Sequence, residues 1–104
     1  TSDIAENADL PTSFALRSVS PNPFSRTTEI RFDVPASGGR LSLRVFDVNG
    51  RAVRTFVQGV ATPGAQRLVW DGSDDAGHRL GVGVYILSFD APGRKATRKL
   101  VLLP

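Results

Sequence analysis

Between Thr27 and Val34 apolar and polar positions alternate without a break. Thr28, Ile30, Phe32 and Val34 fall on one face, and Thr27, Glu29, Arg31 and Asp33 on the other. A two-residue period of this kind predicts a half-buried strand. Similar short runs recur along the chain. Phe14 to Val19 is one. Arg40 to Val48 is another, with Leu41, Leu43 and Val45 inward and Ser42 and Arg44 outward. Phe46 and Val48 break that phase, which predicts a bulge or a cover on the second face there. Further strands are predicted over Arg51 to Val57, Ala65 to Trp70 (Leu68 and Trp70 sharing a face), Val84 to Asp90 (Tyr85, Leu87 and Phe89 inward) and Arg94 to Leu103. No segment of ten or more residues carries helical spacing. Seven short strands with turn chemistry between them predict an all-β, seven-stranded antiparallel β-sandwich.

The breaks between the runs are as informative. In Ser20-Pro21-Asn22-Pro23-Phe24 two prolines hold the chain extended, and Phe24 is expected to plug one end of the core. Pro35 to Gly39 and Pro92-Gly93 read as turns, and Gly59 to Gly64 as a loop. Asn49-Gly50 predicts a type I′ hairpin with positive φ at both residues. From Trp70 to Tyr85 runs a long stretch with Gly72, Gly77, Gly81, Gly83, Asp71, Asp74 and Asp75, bracketed by the only Trp and the only Tyr of the chain. Glycine and aspartate favour turns, and large aromatics fasten a loop to a core. Trp70, Asp71, Gly72, Asp74, Gly83 and Tyr85 are therefore expected to form a structural loop.

Composition adds limits. The 104 residues suffice for one domain, and a chain of that length buries about 65% of its unfolded surface. Without cysteine, neither disulfides nor thiolate ligands are available. No apolar run approaches the roughly 20 residues a membrane-spanning helix needs, and the first residues do not resemble a signal peptide. Residues 1–12, acidic and interrupted by Pro11, read as an interdomain linker to something upstream, with the folded domain over 13–104. The formal charge is +3, yet the first ten residues hold Asp3, Glu6 and Asp9 and no base, which leaves +6 on the remainder. The bases are scattered and no aromatic alternates with them, so nucleic-acid binding is not expected.

Taken together, several blocks carry a resemblance. They are Pro21-Asn22-Pro23-Phe24 with the strand TTEIRFDVP, then LRVFDVNGRAVRTFV, then the W-D-G…G-V-Y block, then the basic and apolar finish RKATRKLVLLP. In that order they resemble the C-terminal sorting domain of the type IX secretion system, a domain related to the Ig-like region of the flagellar hook-capping protein. The resemblance covers Phe14 to Pro104. It implies an Ig-like sandwich at the end of a larger protein exported through the periplasm to the cell surface in Bacteroidetes or their relatives. The implied partners are an outer-membrane translocon and, in some members, a sortase-like peptidase that removes the domain and joins the cargo to surface lipopolysaccharide.

Candidate chemistry is sparse. A Ser73–His78–Asp75 set can be written, but all three lie on one loop without the rigid framework that catalysis needs, so no enzyme is expected. Asp71, Ser73 and Asp75 imitate the start of a calcium loop. The following glycine is one place late and no Glu closes it, so Asx turns at Asp71 and Asp74 are the better reading, with no metal or other cofactor. Trp70 and Tyr85 could form a sugar-stacking platform, but the inward phase of Trp70 favours a core plug. The basic finish Arg94, Lys95, Arg98 and Lys99, with Leu100, Val101 and Leu102, offers a recognisable edge for strand addition, or equally a charged edge guarded against aggregation. An accessory carbohydrate-binding or adhesion module on a secreted enzyme is the alternative to sorting.

Overall fold

The computed structural model describes residues 10–104 of the chain. Its strands are β1 (Ala15–Ser20), β2 (Thr28–Val34), β3 (Gly39–Phe46), β4 (Ala52–Ala61), β5 (Gly64–Trp70), β6 (Gly83–Ala91) and β7 (Arg94–Leu102). They form two sheets, β1-β2-β5 and β4-β3-β6-β7, with antiparallel pairing throughout. This is the seven-stranded Ig-like β-sandwich. Its fourth strand stays beside the third, whereas constant-type immunoglobulin domains place that strand in the other sheet.

The alternation in sequence becomes the inner face of each sheet. Ile30, Phe32 and Val34 of β2 meet Leu41, Leu43 and Val45 of β3, Leu87 and Phe89 of β6, and Leu100 and Leu102 of β7 in one buried cluster. Two aromatic groups mark its ends. Trp70 lies 5.5 Å from Phe24, 6.2 Å from Phe56 and 6.3 Å from Tyr85, centroid to centroid. Phe89 lies 6.4 Å from Phe14 and 6.1 Å from Phe32. Apart from the tilted Phe24–Trp70 pair these are edge-to-face, an arrangement that stabilises by about 0.5–1.5 kcal/mol per pair beyond the area buried. Phe24 plugs the core end as its position just after the two prolines predicts.

Bulges adjust the pattern. In β1 the register shifts between Leu16 and Ser18, so Leu16 and Val19 both pack inward and Arg17 is left beside Asp33. Asp33 is buried where alternation predicts an exposed position, because Arg17 Nε donates to its carboxylate at 2.5 Å. In β3 shifts fall between Leu43 and Arg44 and between Val45 and Phe46, where the broken phase predicts one. Phe46 turns to the outer face under the Arg44 guanidinium, 4.9 Å from its centroid. The strand ends there, and Val48 stands exposed.

Two turns differ from expectation. At Asn49-Gly50 only Gly50 has positive φ (82°), so the turn is not type I′. Asp47 N–H donates to Arg51 C=O at 2.9 Å and Gly50 N–H to Asp47 C=O at 3.0 Å, the pattern of a three-residue loop ending on a left-handed glycine. The Asp47 carboxylate decides it by accepting the N–H groups of Asn49 (2.9 Å) and Arg51 (3.0 Å). Gly59 does not open a loop either. β4 continues to Ala61, with Gly59 opposite Leu41 and Val60 opposite Arg40. The loop shrinks to Thr62 and Pro63 before β5. Of the expected linker, residues 1–9 lie outside the described residues, while Pro11 C=O accepts the Ala36 N–H at 3.2 Å.

Candidate functional site

The stretch from Trp70 to Tyr85 is an ordered loop whose polar groups are turned on one another. Trp70 is fully buried, and its indole N–H donates to Ser73 C=O at 2.8 Å. Asp71 Oδ1 accepts the Ser73 N–H (3.0 Å) and hydroxyl (2.5 Å), and these bonds hold its carboxyl below the usual range. Asp74 Oδ1 accepts the N–H groups of Ala76 (3.0 Å) and His78 (2.9 Å). Both aspartates thus make Asx turns. Gly72, at φ 79°, lets the loop lie against the core, since a Cβ there would stand 3.3 Å from both Leu102 methyls. Tyr85 closes the loop by donating its hydroxyl to Gly81 C=O at 2.6 Å. A tyrosine near the start of the sixth strand bonding to backbone upstream is the tyrosine corner of Ig-like sandwiches. The G-V-G-V-Y run carried that signal. Burial pushes the Tyr85 phenol up, and the Asp47 carboxylate adds to the shift.

Arginines pin this loop from outside, a role that sequence spacing did not reveal. Arg54 Nη1 donates to Asp74 C=O (3.0 Å) and Ser73 Oγ (3.3 Å), and Arg79 donates to Asp71 C=O (2.8 Å) and to Ser25 C=O. Asp75 turns away to β4, where its N–H donates to Val53 C=O (3.0 Å) and its carboxylate accepts the Thr55 N–H (3.0 Å). The oxygens of Asp71, Ser73 and Asp75 therefore do not converge on a common point. Nor does a triad assemble. Ser73 Oγ donates to Asp71, Asp75 faces Thr55, and exposed His78 has its nearest carboxylate in Asp74, 4.0 Å away. Trp70 is a core plug and presents no face for a sugar.

The basic finish is β7, an edge strand of the four-stranded sheet. Arg94, Lys95, Arg98 and Lys99 are exposed, Val101 is half-buried, and Leu100 and Leu102 are wholly within the core. Alternation splits the bases two and two: Lys95 and Lys99 share the outer face with Val101, while Arg94 and Arg98 keep the phase of Leu100. None of the four forms an ion pair among the described residues.

The edge itself is divided. Its C-terminal half is sealed by the Pro21-Asn22-Pro23-Phe24 segment. Asn22 Nδ2 donates to Lys99 C=O (2.7 Å) and Asn22 Oδ1 accepts the Val101 N–H (3.1 Å). Phe24 N–H donates to Val101 C=O (3.0 Å), and Leu103 N–H to Phe24 C=O (2.8 Å). Odd-numbered residues thus turn their backbone groups away from β6. The same alternation directs those of Lys95 and Thr97 outward along the unsealed half.

With the fold and this edge in view, known proteins supply context. The model of the FlgD Ig-like domain family matches residues 18–94, most of the chain. No curated protein matches. Among solved structures, dimeric latent PorU from Porphyromonas gingivalis superposes with a TM-score of 0.65 at 19% identity, over 89% of this chain and 9% of PorU. FlgD from Xanthomonas campestris, described for hook capping in flagellar assembly, superposes with a TM-score of 0.53 at 18% identity, over 97% of this chain and 74% of FlgD. The chain thus spans about a tenth of PorU, and at these identities the likeness is one of fold. The sandwich, its tyrosine corner and the family match agree: the chain belongs to the FlgD Ig-like domain family.

Proposed function

We propose that this domain is a non-catalytic sorting and surface-anchoring module, carried at the C-terminal end of a larger exported bacterial protein and recognised by the type IX secretion machinery. The ordered resemblance of its sequence blocks supports that reading. The structural observation that carries it is the divided edge of β7, open at Lys95 and Thr97 and flanked by four bases without ion-pair partners among the described residues. An extended segment of the translocon adds to such an edge through backbone hydrogen bonds, and the flanking charges select its sign. Leu100 and Leu102 act from within, fixing β7 to the core so that the open half is presented in one register. The upstream domains pass through the periplasm to the surface, where a sortase-like peptidase releases them ahead of the domain.

The test is localisation of a reporter with an ordinary export signal, ending in residues 1–104, in a host with type IX machinery. Surface delivery that requires the machinery is the expected result. A paired Lys95→Glu and Lys99→Glu variant, which changes only exposed side chains, is expected to leave the reporter in the periplasm. Periplasmic retention of the unmodified, folded reporter would overturn the proposal and direct attention to an accessory binding role.

A further inference from the structure

On the opposite side of the sandwich, the outer face of β1-β2-β5 carries a groove of about 380 Å³ lined by Arg17, Arg31, Asp33, Ala65 and Arg67. Arg31 and Arg67 lie directly opposite each other across β2 and β5, and Arg17, the bulge residue of β1, continues the row. Like charges set opposite one another destabilise a sheet unless something stands between them. Two acids do so from below. Asp33 accepts from Arg17 Nε at 2.5 Å, while Glu29 accepts from Arg31 Nε at 2.6 Å and lies 3.5 Å from Arg67 Nη1. The acids sit low, with side chains 8% and 29% exposed, and the arginines stand above them at 65%, 56% and 68%. Arg17 and Arg31 meet their acids through Nε, and more than half of each side chain stays exposed to solvent.

We infer that this row is a binding site for an acidic peptide segment, with carboxylates received by the exposed guanidinium groups. A planar carboxylate matches the fork of a guanidinium bidentately. Three adjacent strands space the guanidinium groups over about 10 Å, enough for two carboxylates of an extended chain. The net charge of the cluster is only +1, three bases against two acids, so it suits singly charged groups and not a dense polyphosphate or nucleic acid. The groove is also elongated. Arg17, Asp33 and Ala65 pass directly into a second hollow reaching Leu10 and Pro11, which accommodates a chain-like ligand.

The test titrates the whole isotope-labelled chain with a capped peptide of alternating aspartate and serine, followed by amide chemical shifts. Saturable shifts at Arg31, Ala65, Gln66 and Arg67 are expected. Arg31→Gln and Arg67→Gln, both at exposed positions, should each weaken binding about fivefold, equivalent to about 1 kcal/mol, with the remaining spectrum unchanged. Shifts elsewhere, absence of saturation, or equal affinity in the variants would overturn the inference. So would tripolyphosphate binding more tightly than the peptide, which would make the row a phosphate site.

Discussion

Asn22 offers the sharpest test of how the β7 edge is held. Asn22→Ala removes two hydrogen bonds to the strand, to Lys99 C=O and from Val101 N–H, and leaves the Phe24 pair intact. Both lost bonds are solvent-exposed, so the freed backbone groups regain water and no desolvation penalty is added. At a net 0.5–1 kcal/mol each, the loss comes to about 1–2 kcal/mol. For a domain of this size that lowers Tm by roughly 5–10 °C. Urea unfolding measures the total, and amide exchange locates it. The Val101 N–H should exchange much faster while the amides of β3 change only in proportion to global stability. Asn22→Asp keeps the acceptor but sets carboxylate oxygen against Lys99 C=O, so it should cost at least as much near neutrality and recover in acid, where a protonated carboxyl can donate. Unchanged Val101 exchange, or a loss above about 3 kcal/mol, would refute the description of Asn22 as a local seal.

Other consequences follow from the loop and its neighbours. Gly72→Ala should cost about 1–2 kcal/mol for its left-handed backbone plus the displacement of Leu102, whereas Gly77→Ala, at φ 89° with nothing near the new Cβ, should cost only the backbone part in the same urea assay. Tyr85→Phe should lose about 1 kcal/mol with the bond to Gly81. The raised phenol contributes stability that is full below about pH 10 and is lost as pH rises through the folded value, so unfolding midpoints should decline in alkali for the parent chain and not for Tyr85→Phe. Hydrogen bonds hold the carboxyls of Asp71, Asp47 and Glu29 below their usual values, from Ser73, Arg51 and Arg31 respectively. Their contribution is present above about pH 4 and lost as pH falls through the folded values; Asp71→Asn should flatten part of that acid limb.

The strands were legible because burial imposes a two-residue period wherever one face is dry. Ile30, Phe32 and Val34, or Tyr85, Leu87 and Phe89, need no tertiary knowledge. What escaped were decisions made by partners outside the local pattern, most of them distant in sequence. Gly59 looks like a loop residue until Leu41 lies opposite it and the ladder carries it. Asp33 reads as a surface carboxylate until a bulge in β1 brings Arg17 over it. Asn49-Gly50 carries the type I′ dipeptide, but Asp47 two residues upstream captures the amides first. At the terminal strand, composition made the basic residues visible, while the seal by Asn22 depends on a contact 79 residues away. Leu100 and Leu102, named with the bases as one recognition stretch, divide from Lys95 and Lys99 by strand phase, and from Arg94 and Arg98, which share their phase, by burial.

Both outer strands of the four-stranded sheet meet a single Asx residue where a neighbouring strand would lie: Asn22 on β7 and Asp75 on β4. Each supplies one donor and one acceptor, the complement that one residue of an added strand would offer. On β7 both bonds come from the Asn22 side chain, so that latch opens by rotating it, a motion of picoseconds to nanoseconds at exposed positions. On β4 the donor is instead the Asp75 main-chain N–H, which stays in place when its carboxylate turns. The sheet can therefore keep its ends occupied against its own copies in dilute solution and still lengthen its open register by about two residues when a competing chain arrives. At Lys99, edge protection and edge availability become two rotamers of one asparagine, while the Phe24 main-chain bonds keep the end of β7 closed.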